Sequence, residues 1–198
     1  IHQEWYSMYN RKTVENPKFY KGEPIWITSE KQGIKTASYF WVGSEAPIKE
    51  TYPTRWKRYD HDFPFHSRID SVVAWLSMPK PKRPRLCLLY FHEPDHTGHE
   101  TGPRSNETSI MVNKLDSLFG TLMEKLEKLP IFNNLNIIIV SDHGMTEISS
   151  ERTINLSNYI DLSKIKQEGS GPYSLLYGME KVEIKSIVNQ LNKAPNIN

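Results

Sequence analysis

Residues 86–99 read LCLLYFHEPDHTGH, and the predicted fold depends mainly on this stretch. Its first six residues are apolar without interruption, which is typical of a strand buried on both faces of a parallel sheet. Residues 137–144, IIIVSDHG, repeat the arrangement, because a short apolar run again leads directly into polar residues. The sequence therefore predicts two buried strands, at 86–91 and 137–140, each followed by a polar cluster.

A long amphipathic helix is predicted between these two strands. Its apolar residues recur every three or four positions: Met111, Leu115, Leu118, Leu122, Leu126 and Leu129. That spacing places them on one face of an α-helix. A helix that connects two parallel strands forms a right-handed crossover, so we predict an α/β fold with a central, mostly parallel sheet flanked by helices.

Weaker patterns extend this architecture on both sides. Residues 1–24 are expected to be irregular, and residues 44–64, which contain three prolines, to form a long loop. The remaining expected elements are a helix from 25 to about 33, a strand over 36–42, a helix from 65 to 76, a strand near 173–177 and a helix over 184–191.

Composition agrees with a globular protein that has one core. The chain has 198 residues, of which 37% are hydrophobic, which is enough for one core, so we predict one domain over residues 1–198. Its net charge of +2 is nearly balanced. The basic run at 80–85 is interpreted as a solvated loop, so no nucleic-acid-binding patch is predicted. No apolar stretch approaches the roughly 20 residues that cross a bilayer, so no transmembrane segment is predicted. Cys87 is interpreted as a buried core residue.

The two polar clusters carry the residues that suggest chemistry. Ligands of open α/β sheets bind beyond the carboxyl ends of the strands, where both clusters are expected. Asp95 and His99 could converge on one metal ion, with Gly98 allowing a sharp turn between them, and Asp142 and His143 could do the same. Either pair alone is more often an ordinary polar loop. Two such pairs at two strand ends favour a metal site.

The same clusters lie in longer segments that resemble a known family. YFHEPDHTGHETGP at 90–103 and IIIVSDHGMTEI at 137–148 resemble the two metal-binding segments of the nucleotide pyrophosphatase/phosphodiesterase family, within the alkaline phosphatase superfamily. Weaker matches extend the likeness from about 22 to 178. The resemblance implies an alkaline-phosphatase-like fold and identifies the chain as an internal fragment of the catalytic domain.

The resemblance also implies a role for several residues. Asp95 and His99 match ligands of one zinc ion, and Asp142 and His143 match ligands of a second zinc ion. Trp41 and Tyr59 match aromatic positions around a nucleotide base. The threonine nucleophile and an aspartate ligand are expected before residue 1, and a third histidine ligand after residue 198. No catalytic residue is therefore assigned to this chain, and the fragment alone is expected to be inactive.

The implied activity is hydrolysis of phosphodiester or pyrophosphate bonds in nucleotides through a covalent threonine intermediate, with release of nucleoside monophosphates. Two alternatives stay open: a lysophospholipid or choline phosphodiesterase of the same family, and a truncated, non-catalytic zinc-binding module. The expected partner is a nucleotide or another small phosphodiester. The parent protein is expected to be extracellular or periplasmic, with or without a membrane anchor.

Overall fold

The computed structural model describes residues 4–169, 173–179 and 183–194. The chain divides into two compact units, Ile1–Thr146 and Glu147–Asn198. The expectation of a single domain over residues 1–198 stays a prediction. In the described part of the chain, no helix is both long and apolar enough to cross a membrane.

The first unit contains a three-stranded parallel sheet. Its strands are β1 (Thr36–Tyr39), β2 (Arg55–Lys57) and β3 (Leu86–Leu89), in the spatial order β2-β1-β3. All four residues of the central strand β1 are buried, as expected where both faces of a parallel sheet are covered. The predicted α/β class is confirmed.

The described residues form six α-helices. They are α1 (Arg11–Val14), α2 (Ile25–Lys31), α3 (Phe65–Leu76), α4 (Asp95–Thr101), α5 (Asn106–Glu127) and α6 (Ile184–Leu191). The helix predicted from the leucine stripe is α5, and Leu118 and Leu126 of that stripe are buried. Ser105 caps α5, since its hydroxyl oxygen accepts a hydrogen bond of 3.0 Å from the Thr108 N–H.

The core lies in two clusters, one containing residues of α3 and the other residues of α2. The α3 cluster contains Ala37, Tyr39, Phe40, Val72 and Trp75, and the α2 cluster contains Trp26, Ile27, Ala46 and Ile48. Cys87 and Leu89 of β3 pack against the α3 cluster, whereas Leu86 and Leu88 pack against the α2 cluster. Successive side chains of a strand point to opposite faces, so the two clusters cover the two faces of the sheet.

The predicted strand at 137–140 is wrong. These residues form no strand in the structure, and Ile138, Ile139 and Val140 are 82%, 72% and 65% exposed. An apolar, β-branched run favours extended backbone, but it becomes a strand only when a neighbour pairs with it. Among the described residues the run pairs with no strand. The predicted strand–helix–strand crossover is therefore not completed.

Several other boundaries differ from the sequence prediction. The strand expected over 36–42 ends at Tyr39, because Phe40 adopts a left-handed backbone conformation with φ 67°. The strand expected over 86–91 is shorter and ends at Leu89. The loop expected over 44–64 contains β2, a short edge strand whose residues Arg55, Trp56 and Lys57 lack an apolar pattern.

In the second unit, the described residues form an antiparallel strand pair and one α-helix. The strands are β4 (Ile165–Glu168), which the sequence did not predict, and β5 (Leu175–Gly178), which lies where a strand near 173–177 was expected. Helix α6 agrees with the expected helix over 184–191. Residues 171 and 172, part of the last segment of the family resemblance, lie outside the described residues.

Candidate metal and substrate site

Asp95 and His99 lie one turn apart on α4. Residues four apart on a helix share a face, and here the Asp95 Oδ1 atom lies 3.4 Å from the His99 Nε2 atom. The Glu93 carboxylate accepts a hydrogen bond of 3.0 Å from the Thr97 N–H and so stabilises the first turn of α4. A regular helical turn, and not an irregular bend, therefore brings the two side chains together.

The role expected for Gly98 is wrong. Gly98 is a buried residue within α4, so it does not provide a sharp turn between Asp95 and His99. Its missing Cβ instead makes room for Met145, since a Cβ built there would lie 2.6 Å from the Met145 sulfur atom. Gly98 thus permits close contact between α4 and the segment that follows Asp142 and His143.

His143 connects the two predicted pairs. Its Nε2 atom lies 3.6 Å from Asp142 Oδ2 and 3.8 Å from Asp95 Oδ1. Its Nδ1 atom lies 3.0 Å from the Gly144 carbonyl oxygen, which can only accept, so Nδ1 carries the proton and Nε2 is left as an acceptor. This hydrogen bond, and next the charges of Asp142 and Asp95, raise the pKa of His143. The structure thus places all four predicted ligands together.

The Asp95 oxygen is suited to a metal ion. Asp95 Oδ1 is shielded from solvent and accepts no hydrogen bond, which is rare for a buried polar atom. Its separations of 3.4 and 3.8 Å from two imidazole nitrogens are too long for hydrogen bonds. Two ligands of a tetrahedral zinc ion, at bond lengths of roughly 2.1 Å, lie about 3.4 Å apart. The Asp95–His99 separation of 3.4 Å matches two ligands of one cation, whereas the Asp95–His143 separation of 3.8 Å is longer than that spacing.

The ligand set within this chain is small. Across residues 4–169, 173–179 and 183–194, no group of three or more His, Cys, Asp or Glu side chains is arranged to hold a metal ion. Structural and catalytic zinc sites use three or four protein ligands. The assignment of Asp95, His99, Asp142 and His143 as metal ligands stays a prediction.

Three further histidines lie beside this site. The His92 ring stacks on the His61 ring at 4.0 Å between centroids, and the His96 ring meets His61 edge-on at 5.7 Å. Burial, and then the neighbouring His61 and Arg68, lower the pKa of His92 to about 4, so its imidazole is neutral near pH 7. His61 was missed in the sequence, because only folding brings its loop to the end of β3.

Tyr59 and Trp41, the two residues predicted to contact a nucleotide base, pack against different core clusters. Tyr59 packs against the α3 cluster, its ring meets Phe40 edge-on at 5.3 Å, and its N–H donates to Glu45 at 3.0 Å. Burial raises the pKa of Tyr59. Trp41 is partly buried against the α2 cluster, and its carbonyl oxygen accepts a hydrogen bond of 2.6 Å from Ser44. Their contact with a nucleotide base stays a prediction.

A cleft of about 410 Å³ lies next to His61 and His92. It is bounded by the start of α3, by the residues that follow β3, and by α5. Its polar lining consists of His61, Asp62, His66, His92, Glu93 and Lys114, and its apolar lining includes Phe65, Met111 and Leu118. None of the four predicted metal ligands lines this cleft. The cleft is therefore adjacent to the candidate metal site and separate from it.

Comparison with known proteins identifies relatives over nearly the whole chain. The family model described as type I phosphodiesterase / nucleotide pyrophosphatase matches residues 2–196. A venom phosphodiesterase of Crotalus durissus collilineatus is 44% identical over 161 residues, which are 81% of this chain and 19% of that protein. Human ectonucleotide pyrophosphatase/phosphodiesterase family member 1 is 42% identical over 152 residues, 76% of this chain and 16% of that protein. This chain thus spans about a fifth of the curated relatives it matches.

Solved structures show the same relationship. Murine ectonucleotide pyrophosphatase/phosphodiesterase 5 superposes with a TM-score of 0.85 at 28% identity, over 94% of this chain and 49% of that chain. An inactive form of that murine protein in complex with AMP superposes with a TM-score of 0.85 at 29% identity, over 94% of this chain and 50% of that chain. The family match, the related sequences and the shared fold together show that this chain belongs to the type I phosphodiesterase/nucleotide pyrophosphatase family.

Proposed function

We propose that the protein to which this chain belongs hydrolyses phosphodiester or pyrophosphate bonds of nucleotides and releases nucleoside monophosphates. The observation that carries the proposal is an Asp95 oxygen that has no hydrogen-bond partner and lies 3.4 Å from the His99 imidazole and 3.8 Å from the His143 imidazole. Membership of the family supports the reaction class. The AMP bound to the related murine protein supports a nucleotide as the substrate.

The proposed cofactors are two divalent ions, with zinc favoured by the aspartate and histidine ligands. Asp95 and His99 would hold one ion, and Asp142 and His143 the other, together with ligands from outside this chain. When bound, such ions stabilise the charge of the attacking and leaving oxygens during displacement at phosphorus.

The residues of this chain would orient the ligands and the substrate. The hydrogen bond from His143 Nδ1 to the Gly144 carbonyl oxygen points Nε2 towards Asp95, as outer hydrogen bonds commonly orient ligating imidazoles. Tyr59 and Trp41 would flank the base, where aromatic rings give stacking contacts. The nucleophile would be a threonine outside this chain. Its oxygen would attack phosphorus and displace the leaving alcohol or phosphate, and water would then hydrolyse the covalent phosphothreonine diester to release the nucleoside monophosphate.

The test is turnover by the parent protein, purified with zinc. We would compare nitrophenol release from the 4-nitrophenyl ester of thymidine monophosphate with release from 4-nitrophenyl phosphocholine. The proposal predicts faster turnover of the thymidine ester, which is lost in Asp95→Ala and Asp142→Ala. Glu100→Gln is the matched control for Asp95→Ala, because Glu100 is an exposed residue of the same helix, α4, and its side chain contacts His96 and none of the four predicted ligands in the ion pairs of this site.

Each other outcome supports a different reading. Preference for the choline ester would assign the protein to the lysophospholipid or choline branch. Zinc binding without turnover of either ester would support a non-catalytic module. The isolated 198-residue chain is expected to be inactive, and turnover that persists after contaminating parent enzyme is removed would contradict that expectation.

The proposed location of the parent protein is outside the cytoplasm. The relatives include venom phosphodiesterases and human ectonucleotide pyrophosphatase/phosphodiesterase family member 1, whose names denote secreted or outward-facing enzymes. The full-length parent protein, expressed in cultured cells, should be recovered from the medium or labelled by a membrane-impermeant reagent. Recovery only in the cytosol would contradict this location.

A further inference from the structure

Arg68, in the first turns of α3, is a fully buried cation with 0% exposure. Its guanidinium donates hydrogen bonds to three main-chain carbonyl oxygens, of Phe63 at 3.0 Å, Tyr90 at 3.2 Å and His61 at 3.1 Å. A longer contact of 3.5 Å reaches the Asp60 carbonyl. The planar fork of five N–H donors thus connects the loop after Tyr59 with the residues that follow β3.

The direct contacts of Arg68 are with carbonyl oxygens and aromatic rings, and the charge of Asp60 acts on it without an ion pair. In the described part of the chain, no ion pair joins Arg68 to an acidic side chain, although buried arginines are usually paired. The guanidinium carbon instead lies 4.8 Å from the Phe40 ring centre and 4.7 Å from the Phe65 ring centre. Carbonyl dipoles and ring faces therefore take the place of a counter-ion.

The partners of Arg68 belong to three segments that lead to predicted site residues. Phe40, held in a left-handed conformation with φ 67°, directly precedes Trp41. The carbonyl groups of residues 60, 61 and 63 directly follow Tyr59. Tyr90 lies between β3 and Asp95. One side chain therefore bridges the predicted base contacts and the predicted metal segment.

We propose that Arg68 is a positioning residue that sets the distance between the base-binding aromatics and the metal-binding segment, and so favours nucleotide esters over phosphodiesters that carry no base. This inference rests on the proposed function. The binding energy of the base assists reaction at phosphorus only if the base and the phosphate bind at the correct distance from each other. A displacement of about 1 Å between binding groups can reduce rates by up to about 100-fold.

The chain permits a graded set of variants. Arg68→Lys keeps the charge, but an ammonium has three donors on a flexible stem and cannot reproduce the planar fork. Arg68→Met removes the charge and all donors. Val72→Ala is the matched control, because Val72 is a buried residue of the same helix and its side chain carries neither a charge nor a hydrogen-bond donor.

The experiment compares kcat/KM of the zinc-loaded parent protein for two esters, the nitrophenyl ester of thymidine monophosphate and bis(4-nitrophenyl) phosphate, which has no base. The ratio of the two values does not depend on the folded fraction of the sample. For Arg68→Lys and Arg68→Met we expect that ratio to fall about tenfold, chiefly through KM of the thymidine ester. Val72→Ala should leave the ratio unchanged even where its stability falls.

A double-mutant cycle provides the decisive readout. If Arg68 acts by placing Tyr59, adding Tyr59→Ala to Arg68→Lys should lower the ratio little further. An unchanged ratio in Arg68→Lys, with thymidine ester turnover intact in the wild type, overturns this inference and leaves the proposed function standing. A wild-type protein that hydrolyses neither ester overturns both.

Discussion

Glu30, in α2, offers a stability prediction that can be worked from the structure. Its Oε1 atom accepts hydrogen bonds from the backbone N–H groups of Thr36 and Thr54, each at 2.7 Å, and from both threonine hydroxyls, each at 2.7 Å. One carboxylate thus holds the start of β1 and the residue before β2 against α2. The Oε2 atom accepts a further bond of 2.9 Å from the Thr54 hydroxyl, so replacing Glu30 by alanine removes all five contacts at once.

The expected loss of stability follows from the burial of the partners. Thr36 is 0% exposed, so its N–H group would be left buried and unpaired at a cost of about 1–3 kcal/mol. Thr54 is exposed, so its groups can return to water. With the lost charge-assisted bonds included, Glu30→Ala should lower the free energy of unfolding by about 3 kcal/mol. Glu30→Gln keeps one acceptor oxygen and should lower it by about 1 kcal/mol.

The effect should depend on pH in a defined direction. Burial acts to raise the pKa of Glu30, but hydrogen bonds from Thr36 and Thr54 outweigh it, so the pKa lies below its ordinary value of 4.5. A carboxylate whose pKa is lower in the folded state than in the unfolded state stabilises the fold. This stabilisation is complete at pH values above the unfolded-state pKa, and it is lost as the pH falls through the folded-state pKa. The difference between wild type and Glu30→Ala should therefore shrink in acid.

Urea unfolding followed by circular dichroism, at about pH 7 and at about pH 3, measures this difference. Glu23→Gln is the control, since Glu23 is an exposed carboxylate that contacts Thr28 and Lys31, and its midpoint should change little. A loss below about 1 kcal/mol for Glu30→Ala near neutral pH would contradict this role of Glu30. So would a loss of the same size at both pH values.

Three further predictions concern other parts of the first unit. Ser105→Ala removes the N-cap of α5 and should lower the free energy of unfolding, measured by urea denaturation, by about 1 kcal/mol. Ser109→Ala, one turn later on an exposed face, should change that free energy by less than about 0.5 kcal/mol. Equal effects of the two substitutions would contradict the capping role of Ser105. The pKa of His92 is lowered to about 4 from 6.5, so stability should rise with pH between these values, and NMR titration of its ring should show a midpoint far below that of an exposed histidine. Burial raises the pKa of Cys87 to about 12, so its thiol should resist a disulfide reagent near pH 8 until urea unfolds the protein; rapid labelling of the native protein would show that the thiol is accessible.

Local patterns in the sequence were sufficient for much of the fold and for the choice of candidate ligands. The three- and four-residue spacing of leucines predicted α5, and the unbroken apolar run at 86–91 predicted β3, because both signals depend on residues close together in the chain. The pairs Asp95/His99 and Asp142/His143 were recognisable for the same reason, since each pair occupies a single short segment.

Tertiary structure alone decided how these segments meet. The apolar run at 137–140 has the composition of a strand but no neighbour to pair with among the described residues, and pairing is not written in a single segment. The contact of His143 with Asp95, the space that Gly98 leaves for Met145, and the four carbonyl partners of Arg68 join residues far apart in sequence. Such contacts depend on how helices and strands pack in three dimensions, and spacing along the chain carries no measure of that packing.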